Sequence, residues 1–166
     1  MSGIDQARAL LTRGSELLLK LYATPRPLVI ACTGHALAGG VLVVLTGDVR
    51  IGAQGAFKLG LNEVSIGLPV PVLAMELARD RLLPTELPRA TLGAHIYAPD
   101  DAVRAGYLDE VAPAGELLAR AKAEAARLGG LAKMAYAGTK MRLRGKTIDY
   151  IRNTMASDMA AFSVVG

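Results

Sequence analysis

Gly39 and Gly40 close the stretch GHALAGG, and Glu63 stands between Gly60 and Gly67 with apolar neighbours Leu61, Val64, Ile66 and Leu68. Glycines that open a helix present backbone N–H groups and the positive end of the helix dipole, a device that stabilises negative charge developing on a carbonyl oxygen. Losing one such donor typically raises a barrier by about 2.7–4 kcal/mol. A carboxylate held among apolar side chains has its charged form disfavoured, which raises its pKa and suits it to general acid or base work. Each feature has a plainer reading beside it. The glycines can serve only close strand–helix packing, and Glu63 can be an ion-pair or helix-end partner. The spacing matches neither GxGxxG nor GxxxxGK[ST], so a nucleotide-phosphate loop is not supported. His35 reads as a loop residue near the site and His95 as structural, because neither has a Ser-Asp or metal-ligand arrangement nearby.

Several elements must position these residues. Asp5 to Tyr22 carries Ala7, Leu10, Leu11, Leu17, Leu18 and Leu21 at helical spacing and predicts a docked amphipathic helix, stopped by Thr24-Pro25-Arg26-Pro27. Leu28 to Thr33 is a continuous apolar run, expected as a parallel strand buried on both faces. Val41 to Leu45 is β-branched but follows a glycine-rich loop, and that context favours a helix. A short strand over Asp48 to Gly52 and a turn at Gln54-Gly55 follow. Helices are then expected from Pro71 to Leu82, Glu86 to Leu92 and Asp100 to Gly106, then a strand over Tyr107 to Val111. Three further helices, over Ala114 to Leu128, Leu131 to Arg142 and Thr147 to Phe162, are separated by Gly129, Gly130 and Gly145.

The 166 residues fit one domain, and 52% hydrophobic against 20% charged residues describes a packed globule rather than a disordered segment. With 4% aromatic residues and no Trp, a stacking surface for nucleic-acid bases is not expected. The single cysteine, Cys32, excludes an internal disulfide and reads as a buried thiol. The N-terminal stretch mixes charges into what would have to be an apolar signal core, and Asp48 and Arg50 interrupt the longest apolar run. A cytoplasmic protein without membrane or nucleic-acid partners is therefore expected. Eight Lys and Arg fall between Arg120 and Lys146 against one acid, Glu124, leaving eleven bases and fourteen acids elsewhere. That block suits a phosphate-bearing ligand or a solvated helix face.

The segments PLVIACTGHALAGG, DVRIGA, FKLGLNEVSIGLP and AHIYAPDDAVRAGYLDEVAP, in this order, resemble the crotonase superfamily, the enoyl-CoA hydratases and isomerases. The resemblance spans roughly Pro25 to Pro113 and continues more weakly to the end. It implies an α/β fold, a crotonase-like ββα spiral core over residues 1–113 with a C-terminal helical trimerisation region over 114–166. It further implies an acyl-CoA thioester as partner, assembly as a homotrimer or hexamer, and no metal or separate cofactor, coenzyme A being part of the substrate. On the family's pattern Gly39 supplies an oxyanion-hole N–H and Glu63 the catalytic carboxylate. His35, Leu37, Gly40, Leu42, Leu68 and Pro71 fall along the substrate, and Lys140, Arg142 and Lys146 are candidates for the CoA phosphates.

Two departures matter. The hydratases' second catalytic glutamate falls on Leu42, and AGGVLVVLTGD with GLNE resembles the mitochondrial-type Δ3,Δ2-enoyl-CoA isomerases. One base suffices to move a proton between two carbons, so isomerisation is the expected reaction, with hydration or a non-catalytic acyl-CoA binder as alternatives. The family's first strands and first oxyanion donor are not matched, since Ser2-Gly3-Ile4-Asp5 only echoes that stretch. The core is expected to be N-terminally shortened.

Overall fold

The computed structural model describes residues 3–161, with the side chains of 6 and of 9–160. Two successive ββα units form its centre. The first comprises β1 (Val29–Cys32), β2 (Ala36–Leu37) and α2 (Gly39–Thr46), and the second β3 (Val49–Ala53), β4 (Leu59–Gly60) and α3 (Val72–Arg81). Equivalent strands pair in parallel: β1 with β3 from Val29–Val49 to Cys32–Gly52, and β2 with β4 through Ala36–Leu59 and Leu37–Gly60. The chain thus advances as a spiral, each turn laying one strand on each of two sheets. β5 (Glu110–Ala112) adds to the first sheet beside β3, giving the order β1-β3-β5.

Helices surround this centre. α1 (Gly3–Ala23) packs on α2 and on the last helix, α7 (Lys133–Ala161), which also packs on α3. α6 (Leu117–Gly129) covers the three-stranded sheet, and α4 (Leu87–Thr91) and α5 (Pro99–Ala105) link α3 to β5. The main core joins Leu18, Leu19 and Tyr22 of α1 to Val41, Leu42 and Leu45 of α2, Leu73 and Leu77 of α3, and Ile148 and Ile151 of α7.

The expected helices α1 to α5 and strand β3 are present, and four expectations need correction. β1 is parallel but lies at the sheet edge and is half-buried for most of its length. The apolar stripe of α1 splits: Leu18 is buried, whereas Leu10, Leu11 and Leu17 are exposed, and Ala7 lies outside the described side chains. The strand expected over Tyr107 to Val111 begins at Glu110, because Asp109 is drawn to Arg50 and Tyr107 and Leu108 are buried ahead of it. Gly145 does not divide the last helices. α7 runs unbroken from Lys133, because a single glycine costs only about 1 kcal/mol in a helix and buried Arg144, Ile148 and Ile151 anchor both sides of it. Phe162 lies outside the described residues.

Candidate active site

The site is built where β2 and β4 end. Their parallel register sets Leu37 beside Gly60, and the Ala38 N–H continues the pairing by donating to the Gly60 carbonyl at 3.2 Å. From these adjacent carboxyl ends the first chain enters α2 through Gly39-Gly40 and the second passes through Leu61 and Asn62 to Glu63. Crevices at the carboxyl ends of parallel strands are the usual place for a ligand in α/β folds.

Helix α2 opens on Gly39 without a side-chain cap, so the N–H groups of its first turn point outward unclaimed by the helix. Both Gly39 and Gly40 are exposed, and a Cβ at either would meet nothing within 4 Å. That observation excludes the packing explanation for the pair, since close strand–helix contact would crowd such a Cβ. The strain sits one residue earlier. Ala38 has φ 45° and ψ −121°, a conformation that residues with a Cβ rarely adopt, and such strain gathers at functional loops.

Glu63 precedes a short 3-10 turn, Val64–Ile66, whose end at Gly67 is left-handed, and its carbonyl accepts from the Ile66 and Leu68 N–H groups. Its side chain is 7% exposed, which makes it the only buried carboxylate among the described residues. Oε2 has no hydrogen-bond partner, so the ion-pair and helix-end readings do not hold. Burial pushes the Glu63 carboxyl above its ordinary value, opposed only by its own backbone N–H. The cause differs from the one expected. Among its apolar sequence neighbours only Leu61 is buried; Val64, Ile66 and Leu68 are 44%, 59% and 41% exposed.

The other candidates take distinct places. Leu42 is buried in the main core on α2, leaving the position of a second carboxylate apolar. Leu37 is at the surface beside the glycines, Leu68 is exposed, and Pro71 immediately precedes α3. His35 accepts the Lys58 N–H at Nδ1, 3.0 Å away, and meets the Phe57 ring edge-on, which latches the loop before β2. His95 meets Tyr97 edge-on and Arg89 at 2.9 Å, as a structural residue should.

Lys140 requires a correction. It is buried, its ammonium donating to Asp48 at 2.7 Å and to the Arg26 carbonyl at 3.1 Å, so it is not free for a phosphate. Asp48 also binds the buried Arg144 at 2.8 Å, and these cations hold its carboxyl below the usual range against the opposing effect of burial. Arg142 and Lys146 remain exposed on α7. Ser2 lies outside the described residues, and Gly3 already belongs to α1. Among the described residues no group of three His, Cys, Asp or Glu side chains could hold a metal ion, and no helix is long and apolar enough to cross a membrane. Sequence reasoning passed over the burial of Tyr107, which depends on contacts distant in the chain.

Comparison with known proteins agrees with this architecture. The model of the family described as enoyl-CoA hydratase/isomerase matches residues 3–164. Rat mitochondrial enoyl-CoA delta isomerase 1 is 28% identical over 149 residues, covering 89% of this chain and 52% of the relative. A solved enoyl-CoA hydratase/isomerase family protein from Pseudomonas syringae superposes with a TM-score of 0.92 at 36% identity, over 98% of this chain and 70% of that one. Human mitochondrial delta3-delta2-enoyl-CoA isomerase gives 0.93 at 26% identity, over 98% and 64%. The chain spans about half the length of the curated relatives it matches.

Proposed function

This chain belongs to the enoyl-CoA hydratase/isomerase family, and on that premise we propose that it acts on acyl-CoA thioesters, moving the double bond of a 3-enoyl-CoA to the 2 position. The observation that carries the reading is the contrast between Glu63 and Leu42: one buried carboxylate with an unpartnered oxygen, and an apolar core residue where a second would stand. Glu63 takes a proton from C2 of the 3-enoyl thioester. The electrons freed from that C–H bond delocalise onto the thioester oxygen, which the Gly39 N–H at the start of α2 stabilises. Glu63 then returns the same proton to C4, leaving the double bond between C2 and C3. No water enters, so a single base completes the cycle, and a raised pKa suits a group that must both take and give a proton.

The exposed Val64, Ile66 and Leu68 that follow Glu63, together with the exposed Leu37 before Gly39, offer apolar contact to the acyl chain. His35 and Gly40 border that path and Pro71 closes it. Arg142 and Lys146 on α7 are the remaining candidates for the CoA phosphates, and the exposed Leu10, Leu11 and Leu17 of α1 support assembly into a homotrimer or hexamer, which light scattering would read. Incubation with a 3-enoyl-CoA tests the reaction. Isomerisation yields the 2-enoyl-CoA without 3-hydroxyacyl-CoA, whereas hydratase activity would accumulate the hydroxy product from a 2-enoyl-CoA. Acyl-CoA binding without either product would mark a non-catalytic binder.

A further inference from the structure

A groove of about 630 Å³ opens between the turn that joins α6 to α7 and the segment leading into β1. Small-molecule sites usually measure roughly 300–1,000 Å³. The groove shares no lining residue with the Glu63 and Gly39 site. Its surface is apolar, made by Leu128 of α6, Leu131 of the turn, and Met134 and Ala137 of α7. Leu131 and Met134 are 45% and 86% exposed, so apolar surface that gains by leaving water lies open there. Both walls are fixed. Pro25 and Pro27 restrict the backbone of one, and the Lys140 ammonium ties it to α7 by donating to the Arg26 carbonyl at 3.1 Å. In the other, the Gly130 N–H donates to the Ala126 carbonyl and the Leu131 N–H to the Leu128 carbonyl, each at 3.1 Å. A ligand entering it meets a preformed surface, which keeps the ordering cost of binding low.

The charged side chains lining the groove are both cations. Arg26 and Lys133 are exposed, and neither has an ion-pair partner among the described residues. The surrounding bases are committed elsewhere: Arg120 to Glu116, Arg127 to Glu124, and Lys140 and Arg144 to Asp48. No Asp or Glu lines the groove, and α7, which starts at Lys133, carries no acid in its first turn to offset them. A guanidinium fork and an ammonium are suited to a carboxylate. Beyond these two the only polar side chain of the lining is Tyr136, whose ring is turned toward the Lys140 ammonium, 6.0 Å from its centre. Such a lining has little with which to read a base, a sugar or a peptide. It matches an unbranched apolar chain that ends in one anionic group.

We infer that this groove binds a free long-chain fatty acid, with its chain along Leu128, Leu131 and Met134 and its carboxylate between Arg26 and Lys133. The inference goes beyond the isomerisation proposed for the Glu63 site and does not rest on it.

The test places a reporter in the groove. Dodecanoate, kept below its micelle concentration, is titrated into the full chain labelled with 13C at the methionine methyl groups, and Met134→Leu identifies the Met134 signal. A saturable shift of that signal is expected. Dodecanol, the same chain without the charge, should bind about tenfold more weakly, and R26Q combined with K133Q should weaken dodecanoate to a similar degree. Leu131→Glu puts an acid at an exposed position of the lining and should abolish the shift in a protein whose circular dichroism matches the wild type. An unmoved Met134 signal overturns the inference, as does dodecanol binding as tightly as dodecanoate. A Met134 signal that changes with protein concentration alone, with light scattering reporting a dimer, gives the groove to a second copy of the chain and also overturns it. Absence of 3-enoyl-CoA turnover bears on the Glu63 reading and leaves the groove untouched.

Discussion

At its C-terminal end α2 has its last four carbonyls engaged, while at its N-terminal end the first N–H groups have no side-chain cap. Val43 and Val44 accept from the Thr46 hydroxyl and the Gly47 N–H, Leu45 from Arg81 at 3.2 Å, and Thr46 from Arg144 at 3.3 Å. Gly47 beyond them accepts from both arginines, and the Tyr22 ring lies 4.4 Å beneath the Arg144 guanidinium. Asp48 completes the knot by binding Lys140 and Arg144. The opposite end has the strained Ala38, two exposed glycines and, after β4, a buried carboxylate with one unpartnered oxygen. The difference separates stability from chemistry. Polar groups are saturated where the helix is anchored and left unsaturated where the proposed reaction would receive a substrate oxygen and a moving proton.

The strongest way to break this contrast is at the anchored end. Asp48→Ala leaves two buried cations facing each other, and chemical denaturation is expected to show a loss of about 3–5 kcal/mol. Activity per folded molecule should change little, and a comparable fall in kcat would mean that the two ends are not separable. At the open end, Ala38→Gly should do the reverse: relieving the positive φ is expected to stabilise the fold by about 1 kcal/mol, visible as a higher unfolding midpoint. A destabilised A38G would show that the backbone there is unstrained.

The smallest expected effect concerns the charge on Glu63. Because its folded pKa is raised above the ordinary 4.5, the folded state prefers the neutral form; that contribution is complete below about 4.5 and is lost as pH rises through the folded value. Glu63→Gln, neutral throughout, should therefore match the wild type in Tm near pH 4 and exceed it modestly near pH 8. A difference independent of pH would contradict a buried, unpaired carboxylate.

Much of this molecule is readable along the chain because its signals are local. Proline stops, glycine turns and apolar runs mark both ββα units, and Glu63 and Gly39 stand out by their immediate surroundings. What escapes is set by distant partners. Nothing near Lys140 reveals that Asp48 will bury it, and nothing near Arg50 reveals that Asp109 will take both its guanidinium and its backbone N–H, shifting the start of β5. Of the neighbours expected to enclose Glu63, three are exposed and only Leu61 is buried, which the apolar sequence alone does not reveal. Gly145 misleads for the same reason, since local propensity cannot register the tertiary contacts that carry α7 across it.

The central claim is that Glu63 alone moves the proton. The direct measurement is steady-state isomerisation of a 3-enoyl-CoA by Glu63→Gln beside the wild type, with acyl-CoA affinity of both proteins measured by titration calorimetry. The account predicts that kcat falls by roughly 10²–10⁴-fold while affinity is retained. Undiminished turnover by the glutamine variant would contradict it.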